Sequence, residues 1–414
     1  QRRASQRRGR RGGSPSQSVG PSTGMPASNR VVLLQSGPLA VVGGHFRSAS
    51  DLPGVEGELR PLPLVDTESE RENVESALRE GCGETGKCLE LQIRFATLRA
   101  LRSVVTLGAR AIHFAGHGHP EFLCFEDERG GAVAANNDAL RRLVGAGSAE
   151  DSGGVRLVVV NSCHSEAAGR AFVEAGVPHV VAISSRLFPG GRSDGFSRNS
   201  ASASDAQQGP PTTPPQGRGG RVSDRAATAF CHAFYLGLIA GKTVKQAFDI
   251  GCASVQDDNN AFHQSATYVL LPEDGLHDER VFADAPTYKK GRLLSVIPPP
   301  TTPTNAPAAP TYYLGRDRDV FCLVDALLTQ RLTTVVGPFG SGKSSLACTA
   351  ARYLADRGTH FDAVVWCKVK ARQRLVDDVV DATRRLLFAN NNNNNKGPSS
   401  SSKKKKKKSP KKRH

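Results

Sequence analysis

The sequence predicts an α/β protein with a mostly parallel sheet and helices on both faces, followed by a truncated second α/β segment. Apolar strand-like runs alternate with amphipathic helix-like segments between residues 31 and 255. A glycine-rich loop of the phosphate-binding type follows near residue 340. Both ends of the chain are basic and low in complexity, so disordered tails are expected there.

In the first segment, the predicted strands alternate with predicted helices. Apolar runs predict strands at 31–34, 109–114, 156–160 and 177–183. Apolar residues at helical spacing predict helices at 68–79, 97–107, 137–143, 165–175, 225–240 and 243–255. Gly176 and Gly241 follow two of these helices, as C-terminal glycines commonly do. Strands separated by helices favour a parallel sheet.

Composition divides the chain into five parts. The predicted boundaries give a basic N-terminus, the α/β body, a proline-rich linker, a second segment and an Asn/Ser/Lys tail, at 1–29, 30–285, 286–310, 311–389 and 390–414. Within the body, residues 188–224 form a Ser/Pro/Gly-rich insert. A passive loop expansion and a linker that is cut during maturation are both compatible with this insert.

The positive charge lies at the two ends of the chain. The 414 residues include 55 lysines and arginines against 39 acidic residues, a formal net charge of +16. Six arginines in residues 1–29 and ten basic residues in 390–414, with no acid in either stretch, equal that excess. The body is therefore neutral, and nucleic acid is expected to bind only non-specifically, through the tails.

The sequence is compatible with more than one cellular location. No run of about 18 apolar residues occurs, so no membrane-spanning helix is expected. The 9 cysteines are scattered without a CxxC pair, which favours a reducing compartment, and the cytoplasm is the expected location. The lysine run at 403–408 is compatible with nuclear import, and the acid-free N-terminus with a transit peptide.

Two predicted strands run into reactive residues. His117 follows the strand at 109–114, and Cys163 follows the strand at 156–160. Functional groups collect beyond the carboxyl ends of parallel strands, so neighbouring strands would bring this histidine and this thiol to one crevice. A histidine base activates a thiol for attack on a carbonyl, and Gly118 allows a backbone N–H to approach the resulting oxyanion.

Three motifs carry a family resemblance. They are AIHFAGHG at 111–118, RLVVVNSCHSEAAGRAFVEAGVPHVVAIS at 156–184 and RAATAFCHAFYLGLIAGKTVKQAF at 225–248. Residues 31–285 thereby resemble a CHAT domain, a caspase-like cysteine peptidase module of clan CD. The resemblance implies a His117–Cys163 dyad with Gly118 lining the oxyanion hole, a caspase-like sheet, and a protein or peptide substrate.

Alternatives to the dyad stay open. The histidines and the cysteine of the two loops could instead hold zinc, with His113, His117, His119, Cys163 and His164 as the ligand set. A catalytically silent scaffold that recruits partners is a further alternative. Glu126, Asp127 and Glu166 are candidates for lining the substrate side of the site.

The second segment contains the pattern GxxxxGKS after a predicted strand at 332–336. The candidate nucleotide-binding residues are Gly337, Pro338, Phe339, Gly340, Ser341, Gly342, Lys343, Ser344 and Ser345. In such loops backbone N–H groups cradle phosphates, while Lys343 would reach the phosphate oxygens and Ser344 would ligate Mg²⁺.

The flanking residues resemble the start of an NB-ARC or STAND-type NTPase. The resemblance rests on YLGRDRDVFCLVDAL at 313–327 and on FDAVVWCKV at 361–369, which is expected to be the next strand. It implies that ATP or ADP with Mg²⁺ regulates the peptidase, and that the nucleotide state drives homo-oligomer formation. No Walker B strand follows, since Asp377 and Asp378 are predicted to lie on a helix surface. A plain ATPase is the remaining alternative.

Overall fold

In a computed structural model of the chain, the residues described are 29–42, 59–62, 65–146, 154–184, 224–256, 267–289, 293–310, 315–368, 376–377 and 379–385. The two predicted tails and most of the 188–224 insert lie outside the described residues, so their predicted disorder and the cleavage hypothesis remain predictions.

Twelve strands occur in the described residues. They are β1 (Arg30–Gln35), β2 (Ala40–Val42), β3 (Leu59–Pro61), β4 (Leu89–Phe95), β5 (Ala111–Ala115), β6 (Gly118–His119), β7 (Phe122–Glu126), β8 (Ala132–Asn136), β9 (Leu157–Asn161), β10 (His179–Ser184), β11 (Thr267–Leu271) and β12 (Leu294–Ile297). Seven of them form one sheet in the order β11-β10-β9-β5-β1-β4-β12, parallel throughout except for β11. The prediction of a mostly parallel sheet is confirmed.

Eight helices, besides the helical residues at 376–377 and 379–385, occur among the described residues. They are α1 (Thr67–Thr85), α2 (Leu98–Leu107), α3 (Asn137–Gly145), α4 (Glu166–Glu174), α5 (Asp224–Ile239), α6 (Val244–Gln256), α7 (Asp317–Thr329) and α8 (Lys343–Arg357). Each predicted helix of the body has a counterpart within a few residues of its predicted bounds. None of the described helices is long and apolar enough to cross a membrane.

Two apolar layers hold the body together, one on each face of the sheet. Val31 and Leu33 of β1 pack with α1, α5 and α6, whereas Val32 and Leu34 pack with α2, α3 and α4. Neighbouring residues of a strand point to opposite faces, so a strand buried on both sides is apolar along its whole length. This explains why the central strands were visible as continuous apolar runs.

Three strands of the sheet, β4, β11 and β12, lie outside the runs that predicted strands. β4, with the sequence LELQIRF, is buried beside β1 although charged and polar residues interrupt its apolar run. One reason is that Glu90 of β4 pairs with Arg30 of β1 at 2.6 Å, which neutralises a buried charge inside the sheet. β12 pairs with β4 and falls within the stretch expected to be a proline-rich linker. The sheet therefore extends beyond residue 285.

The rest of the proline-rich stretch packs against α8 instead of spanning open solvent. The Thr302 N–H donates to Ala355 O at 2.7 Å, and the Arg352 side chain donates to Pro307 O at 2.9 Å. Asn305 bonds in both directions with the backbone of Trp366, at 3.0 and 2.6 Å. Residues 293–310 therefore tie the second segment to the body.

The two strands predicted in the second segment, at 332–336 and 361–369, do not form. Residues 332–338 have no regular structure, and Leu332 and Val336 are exposed. Among described residues, the second stretch contributes only an isolated bridge between Val364 and Thr304. A strand needs a neighbour to satisfy its backbone groups, and no sheet is available beside these residues in the described part of the segment.

Candidate active site

The two reactive loops leave neighbouring strands at the same level. β5 pairs in parallel with β9, and Ala115 at the end of β5 is in register with Asn161 at the end of β9. His117 and Cys163 each lie two residues beyond this last pair. The two strands are neighbours, which is the condition under which His117 and Cys163 were expected to face one crevice.

Gly118 brings the two loops into direct contact. A Cβ atom at this position would lie 2.1 Å from Ser162 Oγ and 2.3 Å from Cys163 O. Real Cβ atoms do not approach other atoms so closely, and the Cys163 carbonyl is backbone that cannot rotate away. Only glycine therefore lets the loop after β5 lie against the loop after β9.

We expect Gly118→Ala to separate the two loops. The added methyl group must displace the Ser162–Cys163 backbone, which is an overpacking change of about 1–3 kcal/mol in stability. Chemical denaturation and the alkylation rate of Cys163 measure the two consequences. Gly83→Ala is the control, because a Cβ there meets nothing within 4 Å. Unchanged stability and unchanged Cys163 reactivity in Gly118→Ala would contradict the close approach.

The loop that carries Cys163 is anchored at its far end by Ser165. The Ser165 hydroxyl donates to Val160 O at 3.0 Å and accepts from the Ile183 N–H at 2.9 Å, so it joins the loop to β9 and β10. Just before Ser165, His164 has a φ of 56°, in the left-handed region that non-glycine residues seldom adopt. This turn leads into α4, which begins at Glu166. The helix N-terminus close after Cys163 favours a thiolate.

The loop that carries His117 is held by a short hairpin. Residues 116–119 were expected to be a loop, but Gly118 and His119 form β6 and pair with the start of β7. The Cys124 N–H donates to His117 O at 3.0 Å. His117 and Cys163 are both half-buried, so both side chains are partly accessible to solvent while their loops are held in place.

All three acids expected to line the site have partners within the protein. Glu126 is buried and pairs with Arg357 at 2.9 Å, and Asp127 accepts from the N–H groups of Arg129 and Gly131 within its own turn. Glu166 is the acid nearest Cys163 in sequence, and it accepts from Arg170 at 2.9 Å and from the Ser184 hydroxyl. Glu126 is thus excluded as a substrate-lining group.

The five-residue zinc set is not assembled. His113 lies in β5 and faces α5, where its Nδ1 is 3.0 Å from the Tyr235 hydroxyl. Among described residues, the one group of three or more potential ligands within reach of a single ion is Glu70, His113 and Cys231. His113 therefore belongs to a buried cluster behind the sheet, apart from the loop histidines.

Neither Glu70 nor Cys231 was among the predicted site residues. Glu70 lies one turn before Val74 on the buried face of α1, so a carboxylate at an apolar position of the helix was the available signal. Cys231 and Tyr235 lie one turn apart on α5, and both are buried. Most residues of α5 after Arg225 are apolar, so Cys231 and Tyr235 read as core residues of an apolar helix.

The glycine-rich loop of the second segment leads directly into α8. Gly340 and Gly342 have φ values of 81° and 79°, which glycine alone adopts without strain. Lys343 begins the helix, and its Nζ donates to Gly337 O at 2.9 Å and Pro338 O at 2.7 Å. Residues 337–341 are exposed, so the loop and the first turn of the helix face solvent.

These residues fit a phosphate group. A 15-residue helix offers its N-terminal N–H groups, and Lys343 folds back over the loop. Arg316, from the motif before the loop, donates to Ser341 O at 2.8 Å and also pairs with Asp319 at 2.7 Å. The predicted Ser344 is exposed at the same helix start.

Comparisons with known proteins give one family. The family model for the CHAT domain matches residues 4–185, a range that includes the first two motifs but ends before the helix at 225–248. No curated protein matches the chain. Two solved structures show remote similarity, each at 11% sequence identity. The Arg-specific cysteine proteinase gingipain R has a TM-score of 0.32 over 59% of this chain. The pyridoxal kinase from Staphylococcus aureus has a TM-score of 0.22 over 56%.

The chain spans 46% of the length of that proteinase and 88% of that kinase, and similarity at these TM-scores carries no conclusion about function. The CHAT match is the finding that bears on the site. Residues 4–185, with both His117 and Cys163 among them, match the CHAT domain.

Proposed function

We propose that this chain is a cysteine peptidase in which His117 and Cys163 act as a dyad. The observation that carries the proposal is the register between Ala115 and Asn161. A histidine and a thiol each follow two residues after this pair, beyond the ends of neighbouring strands. The close approach of Gly118 to Cys163 and the CHAT match over residues 4–185 support it. The substrate is a protein or peptide.

The mechanism follows from the chemistry of the two groups. His117 accepts the Cys163 proton, and the thiolate attacks the carbonyl carbon of the scissile peptide bond. Backbone N–H groups of Gly118 and Cys163 hold the oxyanion that forms. Collapse breaks the C–N bond, and the leaving amine takes the proton from His117. Water then attacks the thioester with His117 as base, which releases the acid and restores the thiol.

Peptide hydrolysis by the full chain tests this function. We expect cleavage of a mixed peptide library, followed by mass spectrometry, and we expect Cys163→Ala to remove it entirely while the thermal unfolding midpoint stays near that of the wild type. Cys322→Ala is the matched control, because Cys322 is an exposed thiol on α7 away from the two loops. Equal cleavage by wild type and Cys163→Ala would overturn the proposal.

A catalytically silent scaffold is the alternative for the same domain. It gives a different result in the same experiment, because no peptide would be cut by any variant. Partner binding would then survive Cys163→Ala, since the alanine removes one sulfur and leaves the surface of the domain intact. The structure offers no observation that favours this alternative over the dyad.

We also propose that the loop at 337–345 binds ATP or ADP with Mg²⁺. The left-handed Gly340 and Gly342 and the helix that begins at Lys343 support this proposal. Lys343 would exchange its two loop carbonyls for phosphate oxygens, and the Ser344 hydroxyl would hold the ion. We propose further that the bound nucleotide regulates the peptidase and drives homo-oligomer formation.

Nucleotide titration of the full chain tests this second site. We expect a fluorescent ATP analogue to bind the wild type, and Lys343→Ala to weaken binding by roughly tenfold or more, since one charged hydrogen-bond donor is lost. Lys245→Ala is the control, as this exposed lysine on α6 pairs only within its own helix at 2.5 Å from Asp249. Equal affinities of Lys343→Ala and wild type would exclude the loop as the binding site.

A further inference from the structure

Three side chains of the metal-binding type meet on the side of the sheet that α1 and α5 cover. Glu70 lies in the first turn of α1, His113 in β5 and Cys231 in α5. One ligand atom from each lies within 4.8 Å of the other two. His113 and Cys231 are fully buried, and Glu70 is 9% exposed. Burying a carboxylate is costly unless hydrogen bonds or a cation replace its water, so Glu70 needs a partner inside the core.

A hydrogen bond between Glu70 and His113 does not supply that partner. His113 Nε2 lies 3.0 Å from Glu70 Oε1, but an N–H on this nitrogen would not point at the oxygen, and both buried atoms are without a hydrogen bond. The lone pair of a neutral imidazole leaves the nitrogen in the same direction as that N–H would. A lone pair and a charged oxygen thus lie side by side, as two ligands of one cation do.

The other ring nitrogen of His113 supports this arrangement. Its Nδ1 lies 3.0 Å from the hydroxyl of Tyr235. A histidine that binds a metal commonly donates its second ring N–H to a neighbouring acceptor, which fixes the lone pair on the first nitrogen. With Nδ1–H donating to Tyr235, Nε2 is free to bind a metal. Tyr235 lies one turn after Cys231, so α5 supplies both a ligand and the residue that orients another.

The donor set selects the metal. A carboxylate oxygen, an imidazole nitrogen and a thiolate are all ligands of Zn²⁺, whereas Mg²⁺ and Ca²⁺ take oxygen ligands. Zinc lies about 2.0–2.3 Å from such atoms, so neighbouring ligand atoms of a tetrahedron are roughly 3.3–3.5 Å apart. The 3.0 Å between Nε2 and Oε1 and the 4.8 Å limit for the set enclose this spacing.

We propose that Glu70, His113 and Cys231 bind one Zn²⁺ ion, with a small ligand such as water in the fourth position. Binding forms a Zn–S bond and releases the Cys231 proton to solvent. The ion neutralises the buried carboxylate and joins α1, β5 and α5, so its role is structural. This site shares only His113 with the zinc set considered from the sequence.

The metal-free state of the cluster has its own cost. Burial and the charge of Glu70 raise the pKa of the Cys231 thiol well above its usual value, so the thiol keeps its proton until a metal displaces it. The carboxylate then remains in the core with no cation bound to it. Zinc removes both penalties at once, because it accepts the thiolate and balances the acid.

Metal analysis of the full chain tests this site without requiring activity. After loading with zinc and passage over a mild chelator, we expect the wild type to retain about one zinc per chain, and Cys231→Ser and Glu70→Gln to lose it. Cys252→Ser and Glu68→Gln are the matched controls and are expected to keep the ion. Cys252 is a half-buried thiol on α6, and Glu68 is an exposed acid in the same turn as Glu70.

Two further measurements identify the ligands. X-ray absorption at the zinc edge of the wild type is expected to show one sulfur neighbour at about 2.3 Å and nitrogen or oxygen neighbours at about 2.0–2.2 Å. Tyr235→Phe leaves the His113 Nδ1–H unpaired, so we expect it to weaken zinc binding by about tenfold. The absorption spectrum needs no variant, and it therefore decides the case if Cys231→Ser or Glu70→Gln does not fold.

Three results would overturn the inference. One is a wild-type chain that retains no zinc. Another is equal retention by the wild type, Cys231→Ser and Glu70→Gln. The third is a zinc edge with no sulfur neighbour or with several, which would place the ion on other groups of the chain.

Discussion

Replacing His117 with alanine is expected to lower kcat/KM for peptide cleavage by about a thousandfold at pH 7. The loss reflects the missing base, since an unassisted thiol has a pKa of about 8.5 and is mostly protonated at neutral pH. As the pH rises above about 9, hydroxide removes the proton instead, and the variant should recover part of the lost rate. A pH–rate profile from 6 to about 10 for both proteins measures this.

His119→Ala is the matched control for this experiment. His119 lies in the same hairpin, where its ring stacks on Phe122 at 4.5 Å and accepts from the Glu121 N–H. A rate near that of the wild type is expected for this control. If His119→Ala were as inactive as His117→Ala, or if the His117 variant gained nothing at high pH, the role of His117 as the base would be wrong.

Replacing Arg357 with alanine is expected to destabilise the chain by about 3 kcal/mol or more. Arg357 ends α8 and binds the body through Glu126 of β7, whose side chain is only 2% exposed, at 2.9 Å. Its guanidinium also lies over the rings of Tyr353 at 3.5 Å and Phe95 at 4.4 Å. The alanine leaves the Glu126 carboxylate buried without its cation, which costs more than the lost contact itself.

Urea unfolding at pH 7 measures this loss, and two further variants identify its cause. Arg141→Ala removes an exposed pair with Glu174 and is expected to cost less than about 1 kcal/mol. The double variant Arg357→Met, Glu126→Gln removes both charges and is expected to recover most of the stability. An Arg357→Ala loss no larger than that of Arg141→Ala would show that α8 does not depend on this pair.

The same pair connects the proposed nucleotide loop to the reactive histidine. α8 begins at Lys343 and ends at Arg357, and β7, which carries Glu126, also donates the Cys124 N–H to His117 O. A rigid helix can transmit a movement at one end to the other. Arg357 therefore joins the helix that follows the glycine-rich loop to the strand that holds the His117 loop.

The body and the two loops were predictable because the central strands of a parallel sheet are continuous apolar runs in the sequence. His117 and Cys163 could be placed at one edge of the sheet because each follows a predicted strand and the carboxyl ends of parallel strands share an edge. That the two strands are neighbours became clear only from the structure. The contact made by Gly118 could only be suspected, because a close approach depends on the path of both loops. β4 was missed since Glu90 and Arg94 break its pattern, and a buried ion pair cannot be inferred from one strand.

In the second segment, strands were predicted that do not form. The LTTVV run has the composition of a strand, but composition does not supply the neighbour that a strand must pair with. An apolar cavity of about 330 Å³ lies beside this run, lined in part by Leu323, Val335 and Ala351. Glu70 could not be recognised for a related reason, because His113, whose Nε2 lies 3.0 Å from Glu70 Oε1, is 43 positions away in the sequence.

The most direct test of the account is the reactivity of Cys163 in the full chain. A thiol-directed peptide probe is reacted at pH 7, and the labelled cysteine is mapped by mass spectrometry in wild type and His117→Ala. An activated His117–Cys163 dyad predicts selective labelling of Cys163 that is lost without His117. The buried Cys82, Cys124 and Cys231, whose pKa values burial raises, are expected to stay unlabelled. Labelling spread over Cys163, Cys322 and Cys367 alike, and unchanged by His117→Ala, would contradict an activated dyad.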